Sequence, residues 1–384
     1  MAGSEESAGG RSGKGRRRLW QGVALLAIIA ILVGIGDVLL HRYDPTRILY
    51  KRLRAADRYV YDAVDPAWRT PDPESQISPA VKRDPEQARR DLAALIWGDA
   101  GMPTALLPQT VELNIAEASL GDLGPGVSID RLSLQMEHGI NSHFHLLHAP
   151  RPNNRLVIYH HGYGDPISAA APLFRALLAH GYDVIVYSLL GRAGNSGLAR
   201  LHANDRFYNV TSEMAEFDRP LHFHVDPVVA GINYALKTGT YSSVDMVGLS
   251  MGGFMAILSA AADSRIARSY PVAADLPLHL RRGQEVLPGY PPYFPPLTTT
   301  FTRLELYMLG ASGRDRRQIQ IFNRYDRCCY FGLRGRVYEA TVARAAQSTP
   351  QGGHFAVLFD ETHADHRLSR FTIDFLLSDL MVDR

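Results

Sequence analysis

From about Val127 to the end of the chain, apolar and polar positions change period in regular succession. Two stretches, VSIDRLSLQM and SHFHLLHAP, alternate as an antiparallel pair of strands does. Beyond them, the predicted buried strands are RLVIYHH, YDVIVYS, VDMVG, IARSYPVAA, RQIQIF and HFAVLF, and the predicted helices are Ile167–His180, Asp226–Gly239, Met251–Ala262 and Ser369–Leu380. Apolar strands that take turns with helices predict an α/β fold, with a mainly parallel sheet and helices on both faces.

The N-terminal segment has a different pattern. Residues 1–18 form a small, polar and basic tail, and residues 19–40 are apolar with one charge, Asp37. A helix of this length spans about 30 Å, the thickness of the hydrocarbon core of a bilayer. A cleaved signal peptide is the competing interpretation, but no small-x-small cleavage site follows the apolar run. We therefore expect one uncleaved transmembrane anchor over residues 19–40.

The charges around this anchor bear on its orientation. Five basic residues precede it and five follow it: Arg11, Lys14, Arg16, Arg17 and Arg18, then Arg42, Arg47, Lys51, Arg52 and Arg54. The two flanks nearly tie, but a short basic tail stays in the cytoplasm, whereas long domains cross largely regardless of charge. We expect the large domain on the non-cytoplasmic side of the membrane.

Residues 41–126 are charged and dotted with proline, which predicts a juxtamembrane connector with helical segments. Its clearest helix is DPEQARRDLAALIWG, in which Asp84 is a suitable N-cap, Pro85 fits the first helical position and Gly98 can end the helix. Within the main domain, residues 127–384, two long segments at about 198–225 and 277–315 interrupt the alternation. Insertions of this length are usually lids or binding loops, and a surface excursion without a role is the alternative.

Composition excludes some classes of protein. A hydrophobic content of 46% with 21% charged residues is that of a globular chain and not of a disordered one. The net charge of +2 gives no sign of a nucleic-acid partner. The only cysteines, Cys328 and Cys329, are adjacent, a spacing at which disulfides rarely form and which matches no zinc motif. His222 and His224 alternate like strand residues without a nearby pair of carboxylates, so we expect no metal site there.

The candidate chemistry lies in VDMVGLSMGGFMAIL, where Ser250 stands between a predicted strand and a predicted helix. Glycine and serine are ordinary turn residues, and short glycine patterns recur by chance. In a strand-turn-helix context, however, G-x-S-x-G is typical of a tight turn that exposes a nucleophilic serine. A serine nucleophile needs a histidine base oriented by a carboxylate, and backbone N–H donors for the oxyanion. The N–H of Met251, at the start of the helix, is one such donor.

The motif GLSMGG resembles the nucleophile turn of the α/β-hydrolase family, and the resemblance extends from about Val127 to the C-terminus. HHGYGD, residues 160–165, follows the strand after which that family keeps its second oxyanion donor. The resemblance implies that the N–H of Tyr163 is this donor and that His160 and His161 support the loop. GRAGNSG, residues 191–197, is similar to the family's glycine-rich turn after the next strand. The implied architecture is an α/β-hydrolase fold with lid insertions, preceded by one transmembrane helix.

The same resemblance implies an acid after the strand that follows the large insertion, where Asp326 stands. Asp275, one strand earlier, is the rival. The base comes from the segment between the last strand and the last helix, which offers His363 and His366. Spacing to the helix favours His366, while distance from the strand end favours His363, and we prefer His366. His354 begins the last strand and is not expected to reach the site.

These residues in the order Ser250, Asp326, His366 imply a serine hydrolase that cleaves a carboxylic ester through an acyl-serine, without a metal or organic cofactor. The substrate would be a small-molecule or lipid-like ester. A peptidase or amidase and an acyltransferase are alternatives that use the same triad. A catalytically silent binding module is the alternative of another class. We expect no nucleic-acid partner, and contact with a membrane through residues 19–40.

Overall fold

A computed structural model describes residues 12–54, 59–163, 166–192, 195, 200–201, 206–207, 217–281 and 292–382. The α-helices are α1 (Ser12–Asp37), α2 (Asp44–Leu53), α3 (Pro79–Arg83), α4 (Pro85–Trp97), α5 (Ala171–Ala179), α6 (His222–Thr238), α7 (Met251–Ala262), α8 (Pro295–Thr300), α9 (Arg303–Ala311), α10 (Glu339–Gln347) and α11 (Arg370–Met381). The strands are β1 (Thr110–Glu112), β2 (Ser128–Gln135), β3 (Asn141–His148), β4 (Arg155–His160), β5 (Asp183–Tyr187), β6 (Arg200–Leu201), β7 (Arg206–Phe207), β8 (Ser243–Leu249), β9 (Ile266–Val272), β10 (Arg317–Asn323) and β11 (His354–Asp360).

Nine of these strands form one sheet in the order β1-β2-β3-β5-β4-β8-β9-β10-β11. The first three pairings, from β1 through β3 to β5, are antiparallel. Every pairing from β5 to β11 is parallel. Parallel strands place their carboxyl ends at one edge of the sheet, which is where α/β folds hold their ligands. The mainly parallel sheet predicted from the sequence is thus confirmed.

The sheet separates two apolar cores. In β4, Leu156 and Ile158 belong to one core, and Val157 and Tyr159 belong to the other, because successive side chains of a strand point to opposite faces. Helices α4, α6, α7, α9 and α10 cover the first face, and α5 and α11 cover the second. Helices on both faces explain why the strands are apolar throughout.

Cap residues and hydrophobic period predicted the position of several helices and strands to within a few residues. Helix α4 begins at Pro85, the Asp84 side chain accepts the Gln87 N–H at 2.9 Å as the N-cap, and Gly98 is the C-cap. Helix α7 covers the predicted residues Met251–Ala262. The predicted antiparallel pair is β2 with β3. In each of these elements the turn or cap residues and the period of the apolar residues indicate the same structure.

The structure corrects three expectations. Helix α6 begins at His222 and includes Pro227, so residues 222–225 are helical and belong neither to an insertion nor to a strand. Pro227 is the sixth residue of this helix, so it removes one backbone hydrogen bond, the one that would reach the carbonyl of Phe223. Strand β1 lies in the predicted connector and pairs with β2, so the sheet begins before Val127. Every residue of α9 is buried, so this part of the second insertion is core.

The remaining insertion segments lie largely outside the described residues, including 196–199, 202–205, 208–216 and 282–291. At the N-terminus, one helix among the described residues, Arg16–Arg42, is long and apolar enough to cross a membrane. A signal sequence near the N-terminus meets the same criteria. The apolar side chains of helix Arg16–Arg42 are exposed, so this helix contributes nothing to either core.

A charged cluster sits at the antiparallel end of the sheet. His148, at the end of β3, lies 2.8 Å from the carboxylate of Asp130 and 3.8 Å from that of Asp183. The carboxylates of Asp183 and Asp130 accept hydrogen bonds from the ring, which favours the charged imidazolium and raises the pKa of His148 to about 8.

Candidate active site

Ser250 stands on a strained turn between β8 and α7. Its backbone has φ 59° and ψ −123°, a region that residues other than glycine rarely adopt. The Ser250 N–H donates to the carbonyl of Val272 at 2.8 Å, which ties the turn to the end of β9. The strain and this bond hold the serine at the carboxyl edge of the parallel sheet, as the sequence motif predicts.

The glycines around Ser250 are required by close backbone packing. A Cβ atom on Gly252 would overlap the carbonyl oxygen of His160, and one on Gly248 would overlap the carbonyl of Gly252. On Gly162 it would lie 2.6 Å from the Leu249 oxygen and 2.9 Å from the Ser250 Cβ. No side chain fits at these three positions without moving main chain. The loop after β4 therefore lies directly against the serine turn.

Two backbone N–H groups stand next to the serine in this arrangement. Met251 is the first residue of α7, so its N–H has no acceptor within the helix. Tyr163 follows Gly162, which contacts the serine turn. The Tyr163 ring packs under the guanidinium of Arg192, whose carbon lies 5.2 Å from the ring centre. Both proposed oxyanion donors thus belong to segments that meet at Ser250.

His160 and His161 are buried beneath this loop. The His160 Nδ1 lies 3.0 Å from the His161 carbonyl, and the His161 Nδ1 lies 3.0 Å from the Tyr159 hydroxyl. Burial lowers the pKa of His160 to about 4, which keeps its ring neutral at physiological pH. Their contacts suit the supporting role that the sequence predicts.

His366 and Asp326 lie together at the ends of β11 and β10. The His366 Nδ1 is 2.5 Å from Asp326 Oδ2, and the other carboxylate oxygen accepts the Cys328 N–H at 2.7 Å. Asp326 is buried, whereas His366 is partly exposed. The Nε2 atom of His366 is buried without a hydrogen-bond partner in the described part of the chain, so it is not bonded to Ser250. Hydrogen bonds of this kind often form only when substrate binds.

The two rival residues are held by other partners. His363 is fully buried, its Nδ1 accepts the Asp365 N–H at 3.1 Å, and its Nε2 lies 3.4 Å from Asp360. Asp275 is buried in an ion pair with Arg281, lies 3.2 Å from Arg303 and accepts the Tyr307 hydroxyl at 2.9 Å. His354 lies at the amino end of β11, away from the carboxyl edge.

The loop that carries His366 is braced by residues that the sequence did not single out. Asn323, at the end of β10, donates to the carbonyls of Asp365 at 3.2 Å and Arg367 at 2.9 Å. Asp360 accepts hydrogen bonds from Thr362 and Ser369. Burial would raise the pKa of Asp360, but hydrogen bonds from His363, Ser369 and Thr362 outweigh it and hold that pKa well below its usual range. Asp360 is thus an ionised anchor for the loop.

Helix α2 contacts the same loop from outside. Arg47 pairs with both carboxylate oxygens of Asp365, one of them at 2.8 Å, and Lys51 donates to the carbonyl of Ala364. Burial would raise the pKa of Asp365, but the hydrogen bonds from Arg47 outweigh it and lower that pKa. Arg327, next to Asp326, donates to the Lys51 carbonyl. Helix α2 therefore packs on both segments that hold the histidine-aspartate pair.

The adjacent cysteines, expected not to pair, are joined in a disulfide two residues after Asp326. Both cysteines lie in the loop between β10 and α10. His222, expected in a strand, is helical and lies 2.9 Å from Asp226. His224 is buried in the same helix, which lowers its pKa to about 3. Of GRAGNSG, Gly191, Arg192 and Asn195 are described, and the rest of that motif lies outside the described residues, as do Gly164 and Asp165.

Comparisons with known proteins agree with this architecture. A family model described as the alpha/beta hydrolase fold matches residues 155–297. No curated protein sequence matches the chain. Acetyl xylan esterase 1 from Thermoanaerobacterium is similar in structure, with 15% identity and a TM-score of 0.51, over 84% of this chain and 100% of that one.

Two further solved structures are similar to the same extent. An acetyl xylan esterase from Paenibacillus has 13% identity and a TM-score of 0.50, and the match covers 80% of this chain and 97% of the other. A glucuronoyl esterase from Solibacter usitatus has 12% identity and a TM-score of 0.51, over 77% and 92%. The sheet order, the serine turn and these matches agree, and the chain has the α/β-hydrolase fold.

Proposed function

We propose that the protein is a serine hydrolase that cleaves carboxylic esters through an acyl-serine. The observation that carries this proposal is the strained Ser250 turn at the same sheet edge as the His366–Asp326 pair. A positive φ at a serine costs on the order of 1–3 kcal/mol, and such strain persists mainly at functional positions. The proteins of the same fold at similar TM-scores are named as esterases, which makes esters the first substrates to test.

The proposed mechanism assigns one role to each group. The Ser250 oxygen attacks the ester carbonyl, and the His366 Nε2 takes the serine proton and later delivers it to the leaving alcohol. Asp326 holds the Nδ1–H of His366 and stabilises the imidazolium. The N–H groups of Met251 and Tyr163 bind the oxyanion, and water releases the acyl group.

Labelling with a fluorophosphonate tests the nucleophile. We expect the full-length chain to be labelled and Ser250→Ala to lose both the label and turnover of a short p-nitrophenyl ester. The matched control is Ser259→Ala, nine positions further along in α7, where the hydroxyl is buried without a hydrogen-bond partner in the described part of the chain. Labelling that survives in Ser250→Ala would contradict the proposal, and a chain that is never labelled would favour a silent binding module.

Replacement of the acid and the histidines tests the other roles. Asp326→Asn keeps the shape of the side chain but favours the wrong imidazole tautomer, so we expect kcat to fall by about 10⁴. His366→Ala should be equally inactive, while His363→Ala should chiefly lower the melting temperature. If His363→Ala lost activity and His366→Ala retained it, the assignment of the base would be reversed. A panel of esters and amides separates an esterase from an amidase or peptidase.

We also propose that residues 19–40 anchor the enzyme in a membrane, with the hydrolase domain on the non-cytoplasmic side. The exposed apolar surface of α1 supports the anchor, and the short basic tail supports the orientation. Protease added to intact cells should digest the hydrolase domain. Digestion only after the membrane is opened would reverse the orientation, and release of a shortened soluble domain would favour a cleaved signal peptide.

A further inference from the structure

The proposed mechanism gives no role to the disulfide Cys328–Cys329, although cysteine sulfur is reactive and binds metals. These are the only cysteines of the chain, and they lie on the loop that carries the catalytic acid. The Cys328 N–H donates to Asp326 at 2.7 Å, which fixes the cysteine pair relative to the acid. Cys328 is exposed and Cys329 is partly buried, so a reagent in solvent can reach the pair.

Both sulfur atoms also lie beside His366. The two Sγ atoms and a ring nitrogen of His366 all lie within 4.8 Å of one another. Asp326 holds the Nδ1 of His366, and the Nε2 is buried without a hydrogen-bond partner in the described part of the chain. A histidine that binds a metal through one nitrogen usually donates the other N–H to a carboxylate. Since Asp326 holds Nδ1, we assign Nε2 as the ring nitrogen that is open to a metal.

We propose that the reduced cysteine pair and His366 form a binding site for a thiophilic divalent cation such as Zn²⁺ or Cd²⁺. A dithiol reductant supplies two electrons and two protons to the disulfide, which opens to two thiols while the reductant becomes a disulfide. The cation then displaces the two thiol protons and binds two thiolates and the neutral imidazole. Water completes the fourth position.

The geometry needs little adjustment for this coordination. Tetrahedral zinc with Zn–S bonds of about 2.3 Å and a Zn–N bond of about 2.0 Å separates its ligand atoms by roughly 3.5–3.8 Å. The two sulfur atoms and a ring nitrogen already lie within 4.8 Å, so side-chain rotations after the disulfide opens can bring the ligands into this range. Adjacent cysteines fit none of the usual zinc spacings, which is why the sequence alone predicted no metal site here.

The site would control the proposed hydrolase activity. The cation occupies the nitrogen that must take the Ser250 proton, so the metal-bound enzyme is inactive. The disulfide form cannot bind the cation and keeps the imidazole free. This inhibition rests on the proposed function, whereas cation binding itself does not.

Titration of the full-length chain in detergent with Cd²⁺ tests the site, because cadmium thiolates absorb in the ultraviolet. We expect one Cd²⁺ per reduced chain and none per oxidised chain. The double variant Cys328→Ser, Cys329→Ser should not bind, and His366→Ala should bind at least about tenfold more weakly. The control is His354→Ala, an exposed histidine at the other end of β11, which should bind as the wild type does. Alkylation of the reduced wild type gives the same test without a variant.

Absence of binding by the reduced wild type would overturn the proposal, as would binding that survives in the double serine variant. In a parallel assay, Zn²⁺ should inhibit ester hydrolysis by the reduced wild type but not by the double serine variant, and a chelator should restore activity. Inhibition that is equal in both would also overturn it. If the chain hydrolysed no ester, the proposed function would fail while the Cd²⁺ titration would still decide the cation site.

Discussion

The contact between Arg47 and Asp365 gives the sharpest test of how His366, the proposed catalytic base, is positioned. Asp365 immediately precedes His366, and Arg47 reaches it from α2 with two hydrogen bonds to the carboxylate. Arg47→Ala removes both bonds and leaves Asn323 and Asp360 to brace the loop from within the domain. We expect the fold to survive and the imidazole to be held less firmly.

The size of the effect follows from burial. The side chains of Arg47 and Asp365 are 19% and 32% exposed, so the pair lies between a surface ion pair and a buried one. Surface ion pairs contribute about 0–1 kcal/mol, and hydrogen bonds to charged groups contribute about 1.5–3 kcal/mol. For the half-buried pair of Arg47 and Asp365 we take a contribution of about 1 kcal/mol. If this free energy orders the loop for catalysis, kcat falls about fivefold. KM should not change, because Arg47 acts on the loop through its contact with Asp365.

The assay is steady-state hydrolysis of a short p-nitrophenyl ester by the full-length chain in detergent. Arg47→Ala, Asp365→Ala and the double variant form a cycle in which the coupling free energy should be about 1 kcal/mol. Arg47→Lys keeps the charge without the two-point geometry and should recover part of the loss. Arg42→Ala is the control, since that side chain is exposed and its nearest carboxylate, on Asp37, is 3.7 Å away. Unchanged kcat in Arg47→Ala, or additive effects in the cycle, would refute the reasoning.

Three other substitutions test the packing around the site and the stability of the sheet. Asp275→Asn should lower the free energy of unfolding by about 3 kcal/mol, because two buried guanidinium groups lose their counter-charge, while kcat per folded molecule is kept; a thermal melt and a turnover assay together check this. Gly252→Ala should abolish fluorophosphonate labelling of the full-length chain in detergent, because the new methyl group overlaps main chain at the end of β4. Normal labelling would show that the serine turn can shift. Because the folded-state pKa of His148 is about 8, above about 6.5 in the unfolded chain, its stabilising contribution is complete below pH 6.5 and is lost as pH rises through 8. The free energy of unfolding should fall between pH 6 and pH 9 by about 1 kcal/mol more in the wild type than in His148→Gln, after a discount for solvent exposure. Denaturant melts at the two pH values measure this, and equal falls in both proteins would contradict the role of Asp183 and Asp130.

Much of the fold could be predicted because its signals are local. The N-cap and C-cap of α4 lie in one 15-residue stretch, and the strand, turn and helix around Ser250 lie in another. In both cases the period of the apolar residues and the turn residues agree, so one element satisfies them all. The pairing of His366 with Asp326 is the outcome preferred from spacing to the last helix, and the structure brings these two side chains together.

The remaining features depend on contacts that no local pattern records. Arg47 and Asp365 are 318 positions apart. Each lies in a charged segment whose sequence, taken alone, predicts only a solvent-exposed surface. Helix α9 reads as part of an insertion because it interrupts the alternation of strands and helices, yet it is buried against the core. The spacing of the two cysteines predicts neither a disulfide nor a metal site. Their approach to His366 depends on how two distant loops pack, and no local sequence pattern records that packing.

In the described part of the chain, both ends of the predicted connector pack on the domain that holds the sheet. Arg89 of α4 donates to carbonyls of α7 and α9, including Ala261 at 2.8 Å and Leu309 at 2.6 Å, and α7 is the helix that begins after Ser250. At the other end of the connector, α2 packs on the loop of His366. Helix α2 is about 15 Å long and follows α1 after a single π-helical turn. If the proposed anchor over residues 19–40 holds, His366, the proposed base, stays within about one short helix of the bilayer surface, and esters at that surface are then the substrates to test first.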